Sequence, residues 1–354
     1  MRIGIPKEVK TLEGRVALTP AAAGEVVRHG HELLMQAGAG QASGYSDEAY
    51  ARAGARSVPD AAGRYGAAEL IVKVKEPVVA ELKLLRKDHV LFSYLHLAAN
   101  AELTQTLQQI GLTAIAFETV ESHGRLPLLA PMSESAGRLA VQIGACLLHT
   151  PRGGRGVLLG GLAASERGRV VILGAGEAGG TACAAAAALG AEVTVFARSW
   201  ESLARMHALG PNVTALSSSH QAIAEALRTA DLLIGAVLIP GARAPRLVTV
   251  DMVRGMRAGA AIVDISVDQG GCIGTTRPTD YSDPTYVCEG VVHFAVTNMP
   301  GAVPRTATQA LAAALLPYVL RLAKSGGEQD PELKSGINVR AGHIVHPAVT
   351  AAFT

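Results

Sequence analysis

The sequence predicts an α/β protein of two domains, each a mostly parallel sheet with helices on both faces. Two observations predict this class. Short apolar runs alternate with alanine-rich amphipathic stretches through most of the chain, which is typical of strands alternating with helices. The chain has 354 residues, of which 49% are hydrophobic, and a chain of this length is too long to fold around one ordinary core. Two domains are therefore expected.

The strands of the first domain are predicted from short buried runs at 2–5, 32–35, 70–74, 90–93 and 113–117. A helix over 133–148 follows, because Leu139, Ile143 and Leu147 recur at helical spacing. The glycine-rich stretch GGRGVLLGG comes next and interrupts the pattern. We place the domain boundary near residue 130, with this helix linking the two halves.

The second domain repeats the alternation, with strands predicted at 170–173, 192–196, 232–236 and 261–265. The last fifty residues contain a helix over 308–323 and a short polar tail. Because that helix follows a complete second domain, we expect it to pack on the first and to make the first domain discontinuous. The predicted domains are 1–129 with 305–354, and 130–304.

Composition and charge disfavour several classes of protein. The 32 basic and 30 acidic residues nearly cancel, without the basic patches interleaved with aromatic residues that nucleic acid requires. The amino terminus becomes charged after six residues, which leaves no room for a secretory signal. Uninterrupted apolar stretches of 18 residues are absent from the sequence. We expect a cytoplasmic protein that binds neither nucleic acid nor membrane.

The four cysteines, Cys146, Cys183, Cys272 and Cys288, are widely separated. They form no CxxC pair, and no histidine stands at metal-ligand spacing from them. This pattern disfavours a structural metal or a disulfide framework. The interpretation favoured instead is four small buried side chains in a reducing compartment.

The strongest motif is G-x-G-x-x-G at Gly174, Gly176 and Gly179, between a buried strand and an alanine-rich helix. The first glycine permits the turn, the second lets the backbone approach a pyrophosphate, and the third allows the helix to pack closely on the strand. The helix amino terminus would face the phosphates. A second strand follows at the right distance, so the sequence predicts a Rossmann-like domain that binds a nicotinamide dinucleotide.

The end of that second strand, Ala197-Arg198-Ser199, bears on the choice between NAD and NADP. An acid at this tip binds the 2′-hydroxyl of NAD, whereas arginine and small polar groups accept the 2′-phosphate of NADP. No acid stands there, which favours NADP. The alternative is that Arg198 is a solvated loop residue and Glu201 reaches the ribose.

Taken together, the motifs resemble the alanine dehydrogenase family, within the superfamily that includes the nicotinamide-binding subunit of proton-pumping transhydrogenase. The resemblance spans nearly the whole chain. It rests on GIPKE at 4–8, RVALTP at 15–20, KVKEP at 73–77, YLHLA at 94–98, PMSE at 131–134, GRGVLLGG at 154–161, GAVLIPGARAP at 235–245, VDISVDQGGC at 263–272 and NMPGAVPRT at 298–306.

The resemblance implies a role for each matching residue. Arg15 would hold the substrate carboxylate, and Lys75 would help to bind the 2-oxo acid and polarise its carbonyl group. His96 would be the general acid and base, and Asp268 would direct the amine or carbinolamine. Cofactor contacts are implied for Ser133 and Ser219, and the nicotinamide pocket for Asn298 and Met299. A hexamer is also implied.

These assignments suit the chemistry of reductive amination, which needs a cation for the carboxylate, a proton shuttle and a hydride donor. Each residue also has an ordinary structural interpretation. His96 would be a hydrogen-bonded residue at a strand end, and Lys73 and Lys75 would extend from a half-buried strand towards water. Asp268 would open a turn before two glycines. The resemblance, and not the spacing, favours the functional interpretation.

Three positions depart from the family pattern. Ala197 replaces the usual aspartate, and 161–168 replaces a proline-containing loop. Gly14 stands where a side-chain amide is common, and we expect it to add backbone freedom beside Arg15.

The leading hypothesis is an NAD(P)-dependent L-alanine dehydrogenase that interconverts L-alanine with pyruvate and ammonia. The alternatives are an NADPH-dependent reductase of another small 2-oxo or imino acid, and a non-catalytic nucleotide-binding or transhydrogenase-type subunit. The second alternative is disfavoured because a nucleotide-binding subunit has no use for a carboxylate-binding arginine beside a proton shuttle.

Overall fold

Runs of branched apolar residues form the strands, and alanine-rich stretches form most of the helices. The computed structural model describes residues 1–59, 61–239, 244–325, 327 and 329–353. Residues 240–243 of the motif at 235–245 therefore lie outside the described residues. In chain order the strands are β1 (Arg2–Ile5), β2 (Glu32–Gln36), β3 (Arg56–Val58), β4 (Leu70–Val72), β5 (Val90–Ser93), β6 (Thr113–Ala116), β7 (Arg169–Leu173), β8 (Glu192–Ala197), β9 (Val213–Ser217), β10 (Leu232–Gly235), β11 (Ala261–Asp264), β12 (Thr285–Cys288), β13 (Val291–Phe294), β14 (Ile337–Arg340) and β15 (His343–Ile344).

The helices alternate with these strands over most of the chain. In chain order they are α1 (Pro20–Arg28), α2 (Asp47–Arg52), α3 (Ala61–Ala67), α4 (Val79–Leu82), α5 (Ala101–Ile110), α6 (Ala130–Leu147), α7 (Glu177–Ala188), α8 (Trp200–His207), α9 (His220–Leu227), α10 (Val250–Arg254), α11 (Pro304–Ser325), α12 (Pro331–Ser335) and α13 (Pro347–Phe353).

The chain divides into two compact units, Met1–Met132 with Pro300–Thr354, and Ser133–Met299. The first unit contains an eight-stranded sheet of order β15-β14-β6-β5-β4-β1-β2-β3. The strands from β1 to β6 pair in parallel, and β14 pairs with β6 antiparallel. The predicted fold class, an α/β protein with a discontinuous first domain, is confirmed.

Both faces of the first sheet are buried, which explains its nearly continuous apolar strands. Successive side chains of a strand point to opposite faces. Ile71 and Leu91 accordingly pack in one core cluster, and their neighbours Val72 and Phe92 pack in another. The second of these clusters also contains Leu315 of α11, so the helix that follows the second unit belongs to the first core.

The prediction of a short polar tail after this helix is wrong. β14 pairs with β6, and Ile337 and Val339 are buried. The strand alternates apolar and polar residues and so resembles a tail in the sequence, although its polar Asn338 is buried as well.

The second unit contains a seven-stranded sheet of order β12-β13-β11-β10-β7-β8-β9. The strands from β7 to β11, together with β13, are parallel, and β12 joins one edge antiparallel. The chain runs outwards from β7 to one edge and then returns to β10 on the other side of β7. This is the strand order of a dinucleotide-binding fold, in which ligands bind where the order reverses, beyond the carboxyl ends of the strands.

Candidate functional site

The glycine loop joins β7 to α7, and its three glycines have different roles. Gly174 has φ +100°, a conformation that side chains rarely adopt. A Cβ atom on Gly179 would lie 1.9 Å from the carbonyl oxygen of Gly174, so the third glycine permits close packing. A Cβ atom on Gly176 would meet nothing within 4 Å. The second glycine therefore leaves open space at the start of α7, as a bound pyrophosphate requires.

The tip of β8 carries no carboxylate. Ala197 is its last residue and is buried, and Arg198 is exposed. Ser199 is the N-cap of α8, where its hydroxyl accepts a hydrogen bond from Ser202 N at 3.2 Å. An exposed guanidinium thus lies beside a helix amino terminus, and both features suit an anion.

Ser219 and Ser133 occupy helix positions in the same unit. Ser219 is the N-cap of α9, and its hydroxyl accepts from Ala222 N at 3.2 Å. Ser133 lies in the first turn of α6 and is partly exposed. The hydroxyl of Ser219 therefore has a structural role, whatever it contributes to a cofactor.

Asp268 lies in a short 3₁₀ turn, Ile265–Gln269, and is exposed. The residue that organises this turn is Asp264, which is wholly buried. Its carboxylate accepts from Ser266 N at 3.0 Å, from Cys272 N at 3.2 Å and from the Thr276 hydroxyl at 2.7 Å. Burial raises the pKa of Asp264, although these hydrogen bonds oppose the rise. Asp264, and not Asp268, therefore caps the turn.

Asn298 and Met299 end the second unit. Asn298 has φ +65°, a left-handed conformation that is uncommon for residues other than glycine. Met299 is buried, and its carbonyl oxygen accepts a hydrogen bond from the Tyr281 hydroxyl at 2.8 Å. Backbone strain of this kind is frequent at functional sites.

Arg15 is buried in the first unit and paired with Glu13. Its Nε and Nη2 atoms donate to the two carboxylate oxygens of Glu13, at 2.7 and 2.5 Å. Its Nη1 lies 3.1 Å from the sulfur of Met132. Burial disfavours the charge of Arg15, but the bonds to Glu13 outweigh burial and raise its pKa. Glu13 therefore occupies the Nε–Nη2 edge of the guanidinium, and Nη1 faces Met132.

Gly14, the residue before Arg15, is tightly packed. A Cβ atom there would lie 2.9 Å from Cβ of Ala42 and 3.2 Å from Cβ of Pro304. Its carbonyl oxygen accepts a hydrogen bond from the Ser43 hydroxyl at 2.7 Å. The expectation of added backbone freedom at Gly14 is therefore wrong, because lack of space is what requires glycine here.

Lys75 lies in the loop after β4, which ends at Val72 and is shorter than predicted. Its ammonium lies 3.6 Å from the carboxylate of Glu76, which also pairs with Lys10. Burial opposes ionisation of Glu76, but the two lysines outweigh burial and lower its pKa to about 2. Glu76 is thus a stable anion between two cations.

The structural interpretation expected Lys73 to extend towards water. Lys73 does not do so and in this respect differs from Lys75. It is 1% exposed, and its ammonium lies 3.1 Å from Glu8 and 3.2 Å from Glu81. Glu8 also accepts from Val74 N at 2.6 Å. These buried pairs fix the backbone of the segment that carries Lys75.

His96 follows β5 in a left-handed conformation, with φ +50°. Its imidazole lies nearly parallel to the ring of Tyr94, with the ring centres 6.1 Å apart. Tyr94 is buried, interacts electrostatically with Arg15 and donates its hydroxyl to Leu128 O at 2.5 Å. In the first unit, Tyr94 thus connects the predicted carboxylate-binding arginine with the predicted proton shuttle.

Sequence reasoning missed the residues that hold these side chains, namely Glu13, Tyr94, Glu118 and Asp264. Glu13 and Tyr94 stand two positions before Arg15 and His96, whereas Glu118 lies 22 positions after His96, and the partners of all three include backbone groups that no sequence pattern displays. Glu13, two positions before Arg15, offered the clearest signal. Of the predicted residues, the first unit contains Arg15, Lys75 and His96, and the second contains the others.

The cysteines only partly match the prediction of four buried thiols. Cys183 and Cys272 are buried, but Cys288 is partly exposed and Cys146 is exposed on α6. α6 is amphipathic in its spacing, and Cys146 lies on its outer face. Within the described residues, no group of three or more His, Cys, Asp or Glu side chains is placed to hold a metal ion.

Among the described residues, one helix is long and apolar enough to cross a membrane by length and composition, namely α11 over Pro304–Lys324. Half of it is buried, and its Leu311, Leu315 and Val319 belong to the core of the first unit. The apolar character of this helix is therefore explained by its packing.

The strand order and the glycine loop together define a dinucleotide-binding protein with two α/β units. Comparison with known proteins identifies the family. Residues 4–136 match the N-terminal domain of alanine dehydrogenase/PNT, and residues 140–347 match its C-terminal domain. The chain therefore belongs to the alanine dehydrogenase/PNT family, whose members use a nicotinamide cofactor.

Individual relatives agree with this assignment. The alanine dehydrogenase of Geobacillus stearothermophilus is 48% identical, over 99% of this chain and 96% of the relative. A solved L-alanine dehydrogenase is 51% identical with a TM-score of 0.95, over 100% of this chain and 99% of that chain. The transhydrogenase of Sinorhizobium meliloti is 28% identical with a TM-score of 0.84, over 98% and 100%. The chain is more similar to the dehydrogenases than to the transhydrogenase.

Proposed function

We propose that the protein is an NAD(P)-dependent L-alanine dehydrogenase, which catalyses the reversible oxidative deamination of L-alanine to pyruvate and ammonia. The observation that carries the proposal is sequence identity: about half of the residues along the whole chain are identical to those of alanine dehydrogenases. The presence of Arg15, Lys75, His96 and Asp268 within the matching motifs supports it. In this proposal the first unit binds the substrate and the second binds the cofactor.

The first unit would bind and orient the substrate. Arg15 binds the carboxylate of alanine or pyruvate, because a planar guanidinium matches a carboxylate, and Glu13 fixes its orientation. Lys75 places a positive charge at the carbonyl oxygen of pyruvate. His96 exchanges a proton with the substrate amine or the carbinolamine hydroxyl. Glu13 keeps the buried guanidinium charged and correctly oriented.

The second unit would hold the cofactor and complete the chemistry. Gly174, Gly176 and Gly179 fit a pyrophosphate, because the space beside Gly176 is open. Ser133 and Ser219 would contact the cofactor, Asn298 and Met299 would line the nicotinamide pocket where the substrate binds, and Asp268 would direct the amine. When bound, the nicotinamide supplies hydride transfer to and from the substrate Cα.

Replacement of His96 tests the assignment of the proton shuttle. His96→Ala should lower turnover by about two or more orders of magnitude while reduced cofactor still binds with wild-type affinity. The matched control is His207→Ala, an exposed histidine at the end of α8. Near-normal turnover of His96→Ala would remove His96 from the mechanism.

We further propose that NADP is preferred to NAD. The support is the buried methyl group of Ala197 beside the exposed guanidinium of Arg198, at the amino terminus of α8. Ala197→Asp with Arg198→Ile should lower the ratio of kcat/KM for NADP to that for NAD by about tenfold or more, as loss of a charge-assisted bond predicts. Arg167→Ile, at an exposed position outside this loop, serves as control. An unchanged ratio would contradict the proposal.

The substrate side chain is tested by a screen. Pyruvate, larger 2-oxo acids and cyclic imino acids are each supplied with ammonia and with NADH or NADPH, and cofactor oxidation is followed by absorbance. We expect pyruvate to give the highest kcat/KM. If NADPH supports reduction of another 2-oxo or imino acid and pyruvate is inert, the protein is instead a reductase of that compound.

The remaining sequence-based expectations are part of the same proposal. We propose a cytoplasmic enzyme that acts on small molecules as a homo-oligomer, with the hexamer as the expected state. Light scattering of the purified protein measures the number of subunits directly.

A further inference from the structure

The carboxylate of Glu118 lies beside the imidazole of His96, the predicted proton shuttle. We infer that Glu118 is the positioning residue of His96: its carboxylate holds the backbone of residues 95–96 and faces imidazole Nδ1, so that Nε2 serves the substrate. This inference rests on the role of His96 in the proposed function. It adds a residue that the resemblance does not assign.

Glu118 contacts the backbone beside His96. Glu118 lies in a short 3₁₀ turn, Phe117–Thr119, directly after β6. One of its carboxylate oxygens accepts from His96 N at 2.5 Å and from Leu95 N at 3.2 Å. The other accepts from Leu95 N at 3.3 Å. A single carboxylate thus accepts hydrogen bonds from two consecutive backbone amides, just after the end of β5, the parallel neighbour of β6.

These bonds stabilise a strained conformation. His96 has φ +50° and ψ +40°, where the Cβ atom crowds the backbone. Residues other than glycine persist there only when surrounding contacts hold them. The two amides bound by Glu118 lie at the point where the chain leaves β5 and enters this conformation, so the carboxylate determines where the His96 side chain projects.

The side chains of Glu118 and His96 also face each other. The carboxylate of Glu118 lies 3.9 Å from Nδ1 of His96, too long for a hydrogen bond but within ion-pair distance. The Glu118 side chain is 13% exposed and that of His96 is 40% exposed. A half-buried carboxylate on the Nδ1 side favours the proton on Nδ1 in the neutral ring. Nε2, the other ring nitrogen, then accepts and returns the proton.

The other titratable groups around this pair do not compete with Glu118. Burial raises the pKa of Tyr94, so the phenol stays neutral, and its hydroxyl is bound to Leu128 O. His346, just before α13, interacts with Glu118, but burial lowers its pKa and keeps it neutral. Arg15 reaches the group through its interaction with Tyr94 and is paired with Glu13.

The arrangement resembles a general pattern, in which a carboxylate orients an imidazole and stabilises its protonated form. Here the same carboxylate also shapes the backbone beneath the imidazole. The charge and the hydrogen-bonding capacity of Glu118 can therefore be tested separately. Gln keeps an oxygen that accepts from the amides but removes the charge, whereas Asp keeps the charge with a shorter reach.

The first measurement does not depend on catalysis. Diethyl pyrocarbonate modifies the neutral imidazole, and mass spectrometry of the peptide that contains His96 gives the rate at each pH. In Glu118→Gln the midpoint of this pH dependence should move down by about half a unit or more, because the protonated ring loses a neighbouring anion. Glu118→Asp should keep a midpoint near that of the wild type. Glu121→Gln, at an exposed position three residues further on, should not move it.

The second measurement is steady-state kinetics. In Glu118→Gln we expect kcat to fall by about tenfold or more, as for other partners of a catalytic histidine. The KM for pyruvate should stay within about twofold, since Arg15 binds the carboxylate. The acidic limb of alanine oxidation should move to lower pH together with the modification midpoint. Asp should restore part of kcat.

The outcomes separate this inference from the proposed function. An unmoved modification midpoint in Glu118→Gln overturns the inference, even if His96→Ala is inactive. A moved midpoint together with an inactive His96→Ala supports the inference. If the midpoint moves but His96→Ala is fully active, the role of His96 in the proposed function fails, and the statement that Nε2 serves the substrate fails with it. If Glu118→Gln does not fold, Glu118→Asp and Glu118→Ala decide: equal midpoints in those two variants overturn the inference, and a lower midpoint in Ala supports it.

Discussion

The two units hold their predicted site residues by different physical means. In the first unit, charged side chains are buried against other charges, as in Arg15 with Glu13 and Lys73 with Glu8 and Glu81. In the second, the glycine loop is shaped by backbone conformation and lack of space. Charge pairs respond to pH and to the loss of one partner, whereas a packed backbone responds to the addition of single atoms.

The largest expected effect tests the second unit. Gly179→Ala places a Cβ atom 1.9 Å from the Gly174 carbonyl oxygen, which must shift. We expect loss of stable folding of this unit and of cofactor binding, measured by thermal unfolding and by cofactor fluorescence titration. Gly180→Ala, where the nearest atom is the flexible end of Met206 at 3.3 Å, is the matched control.

Gly176→Ala sharpens the same comparison. Its Cβ atom would point into open space, so the melting temperature should be that of the wild type. Cofactor affinity should nevertheless fall by about tenfold or more, since the methyl group occupies the place of the pyrophosphate. Wild-type affinity in this variant would show that the phosphates bind elsewhere.

The next effect tests the buried charges of the first unit. Arg15→Lys keeps a cation beside Glu13 but cannot bind two carboxylates through planar edges. The KM for pyruvate should rise by about thirtyfold or more, as the loss of a charge-assisted bidentate contact predicts, without a change in cofactor affinity. The control is Arg138→Lys, because Arg138 also pairs with a glutamate, Glu134, but on the exposed surface of α6. An unchanged KM would exclude Arg15 from carboxylate binding.

The pH dependence of stability gives a smaller effect. The pKa of Glu76 is lowered from 4.5 to about 2 in the folded protein, so its contribution is present above pH 4.5 and is lost as the pH falls towards 2. Glu76→Gln should lower the free energy of unfolding by about 3 kcal/mol at pH 7. In urea titrations the gap from wild type should narrow below about pH 4. A gap independent of pH would contradict the ion-pair explanation.

The smallest effect concerns the helix caps of the second unit. Ser219→Ala removes the acceptor for Ala222 N and should cost about 1 kcal/mol, or a few degrees in melting temperature. Ser219→Asp, which preserves the cap, should retain stability. If Ser219 also contacts the cofactor, the Ala variant binds NADPH more weakly by more than its loss of stability explains.

Much of the fold could be predicted because buried parallel strands are continuous apolar runs. β5 and β10 were predicted almost to the residue. β3 and β9, at sheet edges, were missed because each interrupts its apolar residues with polar ones, so no continuous apolar run marks them. β14 was missed because it is an antiparallel strand after a long helix, where no alternation of helices and strands indicates a further strand.

The site could be predicted in part, and the reason for the remainder is physical. Arg15 and His96 stand in motifs whose chemistry is recognisable. Glu118 binds backbone amides that are distant in sequence, and Asp264 does the same for the turn that carries Asp268. Backbone amides are the same at every position, so a sequence does not show which carboxylate they bind.

The discontinuity of the first unit has a consequence for synthesis of the protein. A ribosome completes the second unit, a single continuous segment, before it makes α11 and β14. Until then the first core lacks Leu311, Leu315 and Val319, and β6 has an open edge. The first unit, which starts the chain, is thus the last to finish folding. Its apolar surface stays exposed until its carboxyl-terminal residues, Pro300–Thr354, have been made.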